Sequence, residues 1–356
     1  MTEDVLFSRN GHLGVITLNR PKALNALTRD MAAAITSQLD LWTEDESVGA
    51  VLIKGAPGSR AFCAGGDIKR LYEGREGGNP FAKDFFRTEY TMNVAIKRFS
   101  KPYIALLHGI VMGGGFGLSV HGSHRVVGDD VTFAMPETGI GMFPDVGGSY
   151  VLPRLKSAFG FYLALTGARL KADDTVYCGV GTHRVSSEKF AALEAALAGA
   201  NLADDPFATV DAVISGFAAP VDGAPLRDIE SDVARLFDKE MLDEILVGLE
   251  QEETDWARGL RDAIGRMSPI STKITFEELI CGKDLSFEDC MRMEYRIACR
   301  IVEGHDFYEG VRAVVIDKDN APKWSPVALD DVTDEMVDEY FMPLGDEELQ
   351  LPNNSG

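Results

Sequence analysis

Apolar and polar positions follow two regimes along the chain. Up to about residue 155, short apolar runs alternate with segments of helical spacing; beyond about residue 157, helical spacing dominates. Val5–Arg9 and Leu13–Leu18 predict two strands around Asn10-Gly11, a tight-hairpin dipeptide. Thr28 suits the N-cap of a helix running through Trp42. Ala50–Lys54 reads as a buried strand, Ser59–Asp67 as a loop of small residues and Ile68–Tyr72 as the start of a helix. Phe81–Phe99 keeps helical spacing until Lys101-Pro102 breaks it, and Tyr103–His108 follows as a strand. Gly113–His121 reads as a short helix entered through glycines, Arg125–Gly128 and Thr132–Ala134 as strands, and Pro136–Gly148 as loop. Helices are expected at Glu188–Leu197, Ala208–Ala218, Leu226–Phe237, Met241–Gln251, Glu253–Met267 and Ser286–Glu303, before a polar, Pro-bearing stretch after Asp317. The alternation predicts an α/β core. The division expected from it is a core domain over residues 1–200 and a helical C-terminal region over 201–356.

Composition narrows the partners. A formal net charge of −21, with acids spread along the chain, disfavours nucleic acid, which needs a basic surface. The acidic run Asp330–Glu339 is read as an exposed helix face. No apolar run approaches the roughly twenty residues of a membrane span, so no membrane partner is expected. The five cysteines, odd in number and without close CxxC pairs, read as reduced thiols. With an acidic N-terminus lacking an apolar signal core, they point to a cytoplasmic protein. No Cys/His spacing fits zinc, and no metal is expected.

The chemistry concentrates between His108 and Leu155. Gly113, Gly114 and Gly115 follow an apolar run, and without side chains they let backbone N–H groups approach a ligand. Such groups can hold a developing oxyanion. Some twenty residues on, Glu137 and Asp145 stand among apolar residues, Pro and Gly, where acids are candidates for proton transfer or water activation. A second small-residue loop, Ala61-Phe62-Cys63-Ala64-Gly65-Gly66-Asp67, also follows a strand-like run and opens a helix. Together these features suggest acyl chemistry at a carbonyl.

At these residues the chain resembles the crotonase superfamily, the enoyl-CoA hydratase/isomerase fold. The opening Leu18-Asn19-Arg20-Pro21-Lys22-Ala23-Leu24-Asn25-Ala26 carries the likeness too, and the motifs occur in the family's order. Within the superfamily the chain looks most like the hydrolases of 3-hydroxyisobutyryl-CoA. That likeness rests on residues 108–115, Ala134-Met135-Pro136-Glu137-Thr138 and Gly141-Met142-Phe143-Pro144-Asp145-Val146-Gly147-Gly148, with Ser268-Pro269, Glu294-Tyr295-Arg296 and Trp324-Ser325-Pro326 downstream. It covers residues 5 to about 343.

The resemblance implies a spiral of ββα units in two roughly perpendicular sheets, followed by a helical C-terminal region. It implies that the N–H groups of Gly66 and Gly114 form an oxyanion hole, with Gly114 also among the substrate-binding residues. Glu137 would attack the thioester or activate water, Asp145 would orient the substrate hydroxyl or the water, and Glu89 would contact substrate. The implied partner is a short-chain 3-hydroxyacyl-CoA, hydrolysed as in valine breakdown. No cofactor is implied, since CoA arrives as part of the substrate. The fold often trimerises through its C-terminal helices, so a homo-oligomer is among the implied partners, with its state left open.

One departure separates the subfamilies. Hydratases of this family commonly carry a glutamate shortly after the Gly-rich turn, and the matching position here is Gly117. The acid–base pair that holds a water for double-bond hydration is then incomplete. A hydratase or isomerase on the same scaffold, and a non-catalytic acyl-CoA-binding protein, stay open as alternatives. So do plainer readings of single residues: a surface salt bridge for Glu89, a turn role for Asp145, packing for His108, His121 and Cys63, and solvated surface for Arg20, Lys22, Lys69 and Arg70.

Overall fold

The computed structural model describes residues 3–75 and 79–352. Two compact units emerge, each gathered from three stretches of chain. The first holds residues 1–66, 91–133 and 169–227, and the second holds 67–90, 134–168 and 228–356. Both units cross residue 200, so the expected boundary there does not separate compact bodies. The reason is that segments on either side of residue 200 share one core.

The first unit contains the β structure. Strands β1 (Val5–Asn10) and β2 (Leu13–Leu18) form the expected hairpin, with Val5 opposite Leu18 and Asn10 opposite Leu13. Further strands are β3 (Ala50–Gly55), β4 (Ala61–Cys63), β5 (Tyr103–Leu107), β6 (Ile110–Met112), β7 (His124–Val127), β8 (Thr132–Ala134) and β9 (His183–Arg184). They build a six-stranded sheet in the order β1-β2-β3-β5-β7-β9 and a three-stranded sheet in the order β4-β6-β8. From β3 onward successive strands alternate between the sheets, as repeated ββα units require, and the long sheet is parallel after its first hairpin. Leu13, Val15, Leu52, Ile104, Leu106 and Val126 from one face pack with Leu193, Leu197, Val210 and Ile214 of the later helices. This shared core draws residues 169–227 back to the sheet. Thr28 caps the Arg29–Glu44 helix by accepting from the Met31 N–H at 3.2 Å.

The second unit is helical. Its helices include Phe159–Thr166, Leu242–Gln251, Asp255–Gly265, Pro269–Gly282, Phe287–Ile301 and Asp334–Phe341. The last, capped by Thr333, buries Val337 and exposes its acids, as the charge pattern predicts. Among the described residues no helix is long and apolar enough to cross a membrane.

Candidate functional site

In the first unit both glycine-rich loops are held open by backbone packing. Gly113 has φ +46°, in the region that favours glycine. A Cβ on Gly115 would stand 2.2 Å from the Cys63 carbonyl oxygen, so β4 and the Gly-rich turn approach to a distance only glycine allows. The Asn25 side-chain amide donates to the carbonyls of Ala61 and Phe62, at 2.9 and 3.0 Å, fixing the other loop from below. Leu27 N–H donates to Gly65 O at 2.9 Å. Among the described residues the N–H groups of Gly66 and Gly114 donate to no backbone acceptor. The loops thus present two N–H groups not used up by the fold. The neighbouring side chains are taken up by the fold. Cys63 is fully buried with its thiol directed to Gly65 O, His108 packs against Gly55, and His121 packs edge-on to Phe116. Arg20, only partly exposed, donates to Ala26 O in its own loop and pairs with Asp4 just before β1, so it is not a solvated surface charge.

The acids lie in the second unit. Glu137 opens a single 3-10 turn, Glu137–Ile140, behind the fully buried Phe133, Ala134 and Met135. Gly141 ends that turn at φ +69°, where a Cβ would strike the Asp306 carbonyl. Glu137 is buried, and its Oε2 has no hydrogen-bond partner among the described residues. Burial, and then the neighbouring Asp145 charge, hold its carboxyl well above the usual range. Asp145 accepts from the Tyr90 hydroxyl at 2.8 Å, and burial pushes it up to about 7 against that hydrogen bond. Glu89 is 2% exposed, which excludes a surface salt bridge. Desolvation first, then the charges of Asp145 and Glu294, raise it well above its ordinary value.

Two further acids belong to this cluster and were not singled out from sequence. Glu294, on the Phe287–Ile301 helix, accepts from the N–H groups of Gly147 (2.8 Å) and Ser149 (3.0 Å) and from the Ser149 hydroxyl (2.5 Å). It braces a strained turn, because Val146, a β-branched residue, has φ +54°. Even with three donors, burial lifts Glu294 to about 8. Glu278, on the Pro269–Gly282 helix, is fully buried and neither of its carboxyl oxygens has a partner among the described residues. Nothing in local sequence marks Glu294 except its place in the Glu-Tyr-Arg segment, and nothing marks Glu278. The arrangement of Glu137 and Asp145 supplies a carboxyl with a free oxygen beside a second, hydrogen-bonded acid. That pair can attack a carbonyl or hold a water for attack. Among the described residues, no group of three or more His, Cys, Asp or Glu side chains is placed to hold a metal ion.

Comparison with known proteins adds relatives. The chain is 46% identical over 353 residues to mitochondrial 3-hydroxyisobutyryl-CoA hydrolase of Rattus norvegicus, covering 98% of this chain and 91% of the relative. The Homo sapiens protein of the same name is 44% identical over 354 residues, with 98% and 91% covered. Among solved structures, a carnitinyl-CoA dehydratase from Mycobacterium thermoresistibile superposes with TM-score 0.91 at 38% identity, covering 99% of this chain and all of that one. An enoyl-CoA hydratase from Rhodobacter sphaeroides 2.4.1 gives 0.87 at 38%, covering 98% and 100%. The expected cytoplasmic location is overturned, since the curated relatives are mitochondrial. The five cysteines are free, and free thiols do not distinguish one reducing compartment from another. The model of the enoyl-CoA hydratase/isomerase family matches residues 13–341, and with these relatives it shows that the chain belongs to that family.

Proposed function

We propose that this protein hydrolyses the thioester of 3-hydroxyisobutyryl-CoA to 3-hydroxyisobutyrate and CoA. The observation that carries the reading is the 44–46% identity, over nearly the whole of both chains, to proteins with that activity in their name. The acid site agrees with it: Glu137 has a free carboxyl oxygen, Asp145 lies in its electrostatic reach, and Gly117 stands where a hydratase would carry its other acid. Glu137 acts on the thioester carbon, directly or through water. Asp145, held by Tyr90, orients that water or the substrate hydroxyl, and Glu89 contacts substrate. The N–H groups of Gly66 and Gly114 stabilise the developing oxyanion, a role in which one donor is typically worth ~2.7–4 kcal/mol. The reaction serves valine breakdown, and CoA enters only as part of the substrate.

Hydration is the second reading, favoured by the names of the two solved structures at 38% identity. A thiol dye separates the two. Purified protein mixed with 3-hydroxyisobutyryl-CoA should release free CoA rapidly, and mixed with crotonyl-CoA should neither release thiol nor bleach the enoyl absorbance. Loss of enoyl absorbance without thiol release from either substrate would return the protein to the hydratases.

A further inference from the structure

One face of the Pro269–Gly282 helix lies on the loop that bears the acids. Gly282 marks that face, because a Cβ there would stand 2.0 Å from the Ser149 carbonyl oxygen. Four, seven and eleven residues earlier on the same helical face stand Glu278, Thr275 and Ser271. At the helix N-terminus the Ser268 N–H donates to the Thr138 carbonyl at 3.1 Å, tying the helix to the turn of Glu137. Glu278, Thr275 and Ser271 are fully buried, as is Thr138. Each has side-chain oxygen without a hydrogen-bond partner among the described residues, and Glu278 has both of its oxygens so.

Buried polar groups are nearly always paired in folded proteins, and an unpaired carboxyl is the costliest exception. Unpartnered oxygens on the helix face that meets the acid-bearing loop suit an occupant that can make hydrogen bonds, where a plain hydrocarbon acyl chain would leave them unpaired. Burial, then the charges of Glu294, Asp145 and Glu137, keep the Glu278 carboxyl well above its ordinary range. That shift favours the protonated form of the carboxyl, which can both donate and accept.

We propose that Glu278 is a specificity-determining residue that recognises the hydroxyl of the acyl group, its O–H donating to the hydroxyl oxygen while Thr275 and Thr138 accept the hydroxyl hydrogen. The assignment rests on reading the protein as a hydrolase of a 3-hydroxyacyl-CoA, and it leaves Asp145 to the water.

The test compares 3-hydroxyisobutyryl-CoA with isobutyryl-CoA, which differ only in the hydroxyl, and the matching non-hydrolysable thioethers. Wild type, Glu278→Gln, Glu278→Leu and Glu278→Ala are measured by thiol release and by calorimetric binding, with melting curves to report folding. Wild type should prefer the hydroxylated member of each pair. Glu278→Gln, a neutral donor, should keep that preference within about threefold. Glu278→Leu and Glu278→Ala should lower it roughly tenfold to a hundredfold, as expected for loss of a hydrogen bond to a buried substrate hydroxyl. The two apolar variants differ in volume, so a packing failure in one leaves the other informative. A preference unchanged in the folded apolar variants, through an equal fall for both substrates or no fall, would overturn the assignment. Wild type that releases no thiol from either substrate would sink the hydrolase reading. The thioether pair then decides separately: a binding preference lost in Glu278→Leu supports the role of Glu278, and no preference in wild type ends it.

Discussion

At the residue scale, the buried carboxyls differ in how many donors reach them, and this divides their work. Glu294 has three donors, Asp145 has the Tyr90 hydroxyl and Glu278 has none among the described residues. Glu294 spends its oxygens on the backbone at Gly147 and Ser149, next to the strained Val146 and Asp145. Glu278 has no donor to offset burial, which holds its carboxyl well above its ordinary range. Glu294→Gln keeps the shape but can accept at only one terminal atom, leaving a buried N–H unmatched. It should lower stability by about 1–3 kcal/mol, measured by urea unfolding. Unchanged stability would mean that the turn at Val146 is held by something else.

At the element scale, the Gly-rich turn and β4 are built for each other. Gly115→Ala would push a Cβ against the Cys63 carbonyl. The expected cost is about 1–3 kcal/mol, seen as a lower denaturation midpoint, with activity falling beyond what stability explains because Gly114 moves with the turn. Retention of both wild-type stability and activity would contradict the close approach.

Most strands and amphipathic helices were legible because one face is buried and the other wet, as in the Arg29–Glu44 and Phe287–Ile301 helices. The short strands Ala61–Cys63, Ile110–Met112 and His183–Arg184 were not given bounds, since two or three residues beside glycine-rich or polar segments show no period. The Pro269–Gly282 helix was missed for the opposite reason. Residues are buried around much of its circumference, so no apolar stripe appears, and Ile, Thr and Phe lower its helical propensity. Its Ser268-Pro269 start signal was present and unused. Glu278 carries no signal apart from its helix, while Glu137, Asp145 and the two glycine loops stand out because their local sequences match the family motifs.

At the scale of the whole molecule, a chain with net charge −21 also keeps acids inside. Asp145 and Glu294 have ordinary values of 3.8 and 4.5, and burial lifts them to about 7 and about 8. Below about pH 4 they are mostly protonated whether the chain is folded or not, and their contribution to stability is fullest. As pH rises towards 8 the unfolded chain ionises before the folded one, and that contribution is lost. Asp145→Asn removes one such group. Its melting temperature minus that of wild type should therefore grow from pH 4 to pH 8 in a buffer series. A difference that stays flat would place the Asp145 carboxyl near its ordinary value.

The central claim is that a single buried glutamate carries thioester hydrolysis. Its most direct test is the turnover of 3-hydroxyisobutyryl-CoA by Glu137→Gln beside wild type, followed as released thiol. Gln keeps the volume and removes the ionisable oxygen. The rate should fall by roughly 10²–10⁴-fold, the range expected for a positioned acid–base group, with melting behaviour retained. A folded variant that turns over at close to the wild-type rate would contradict the account.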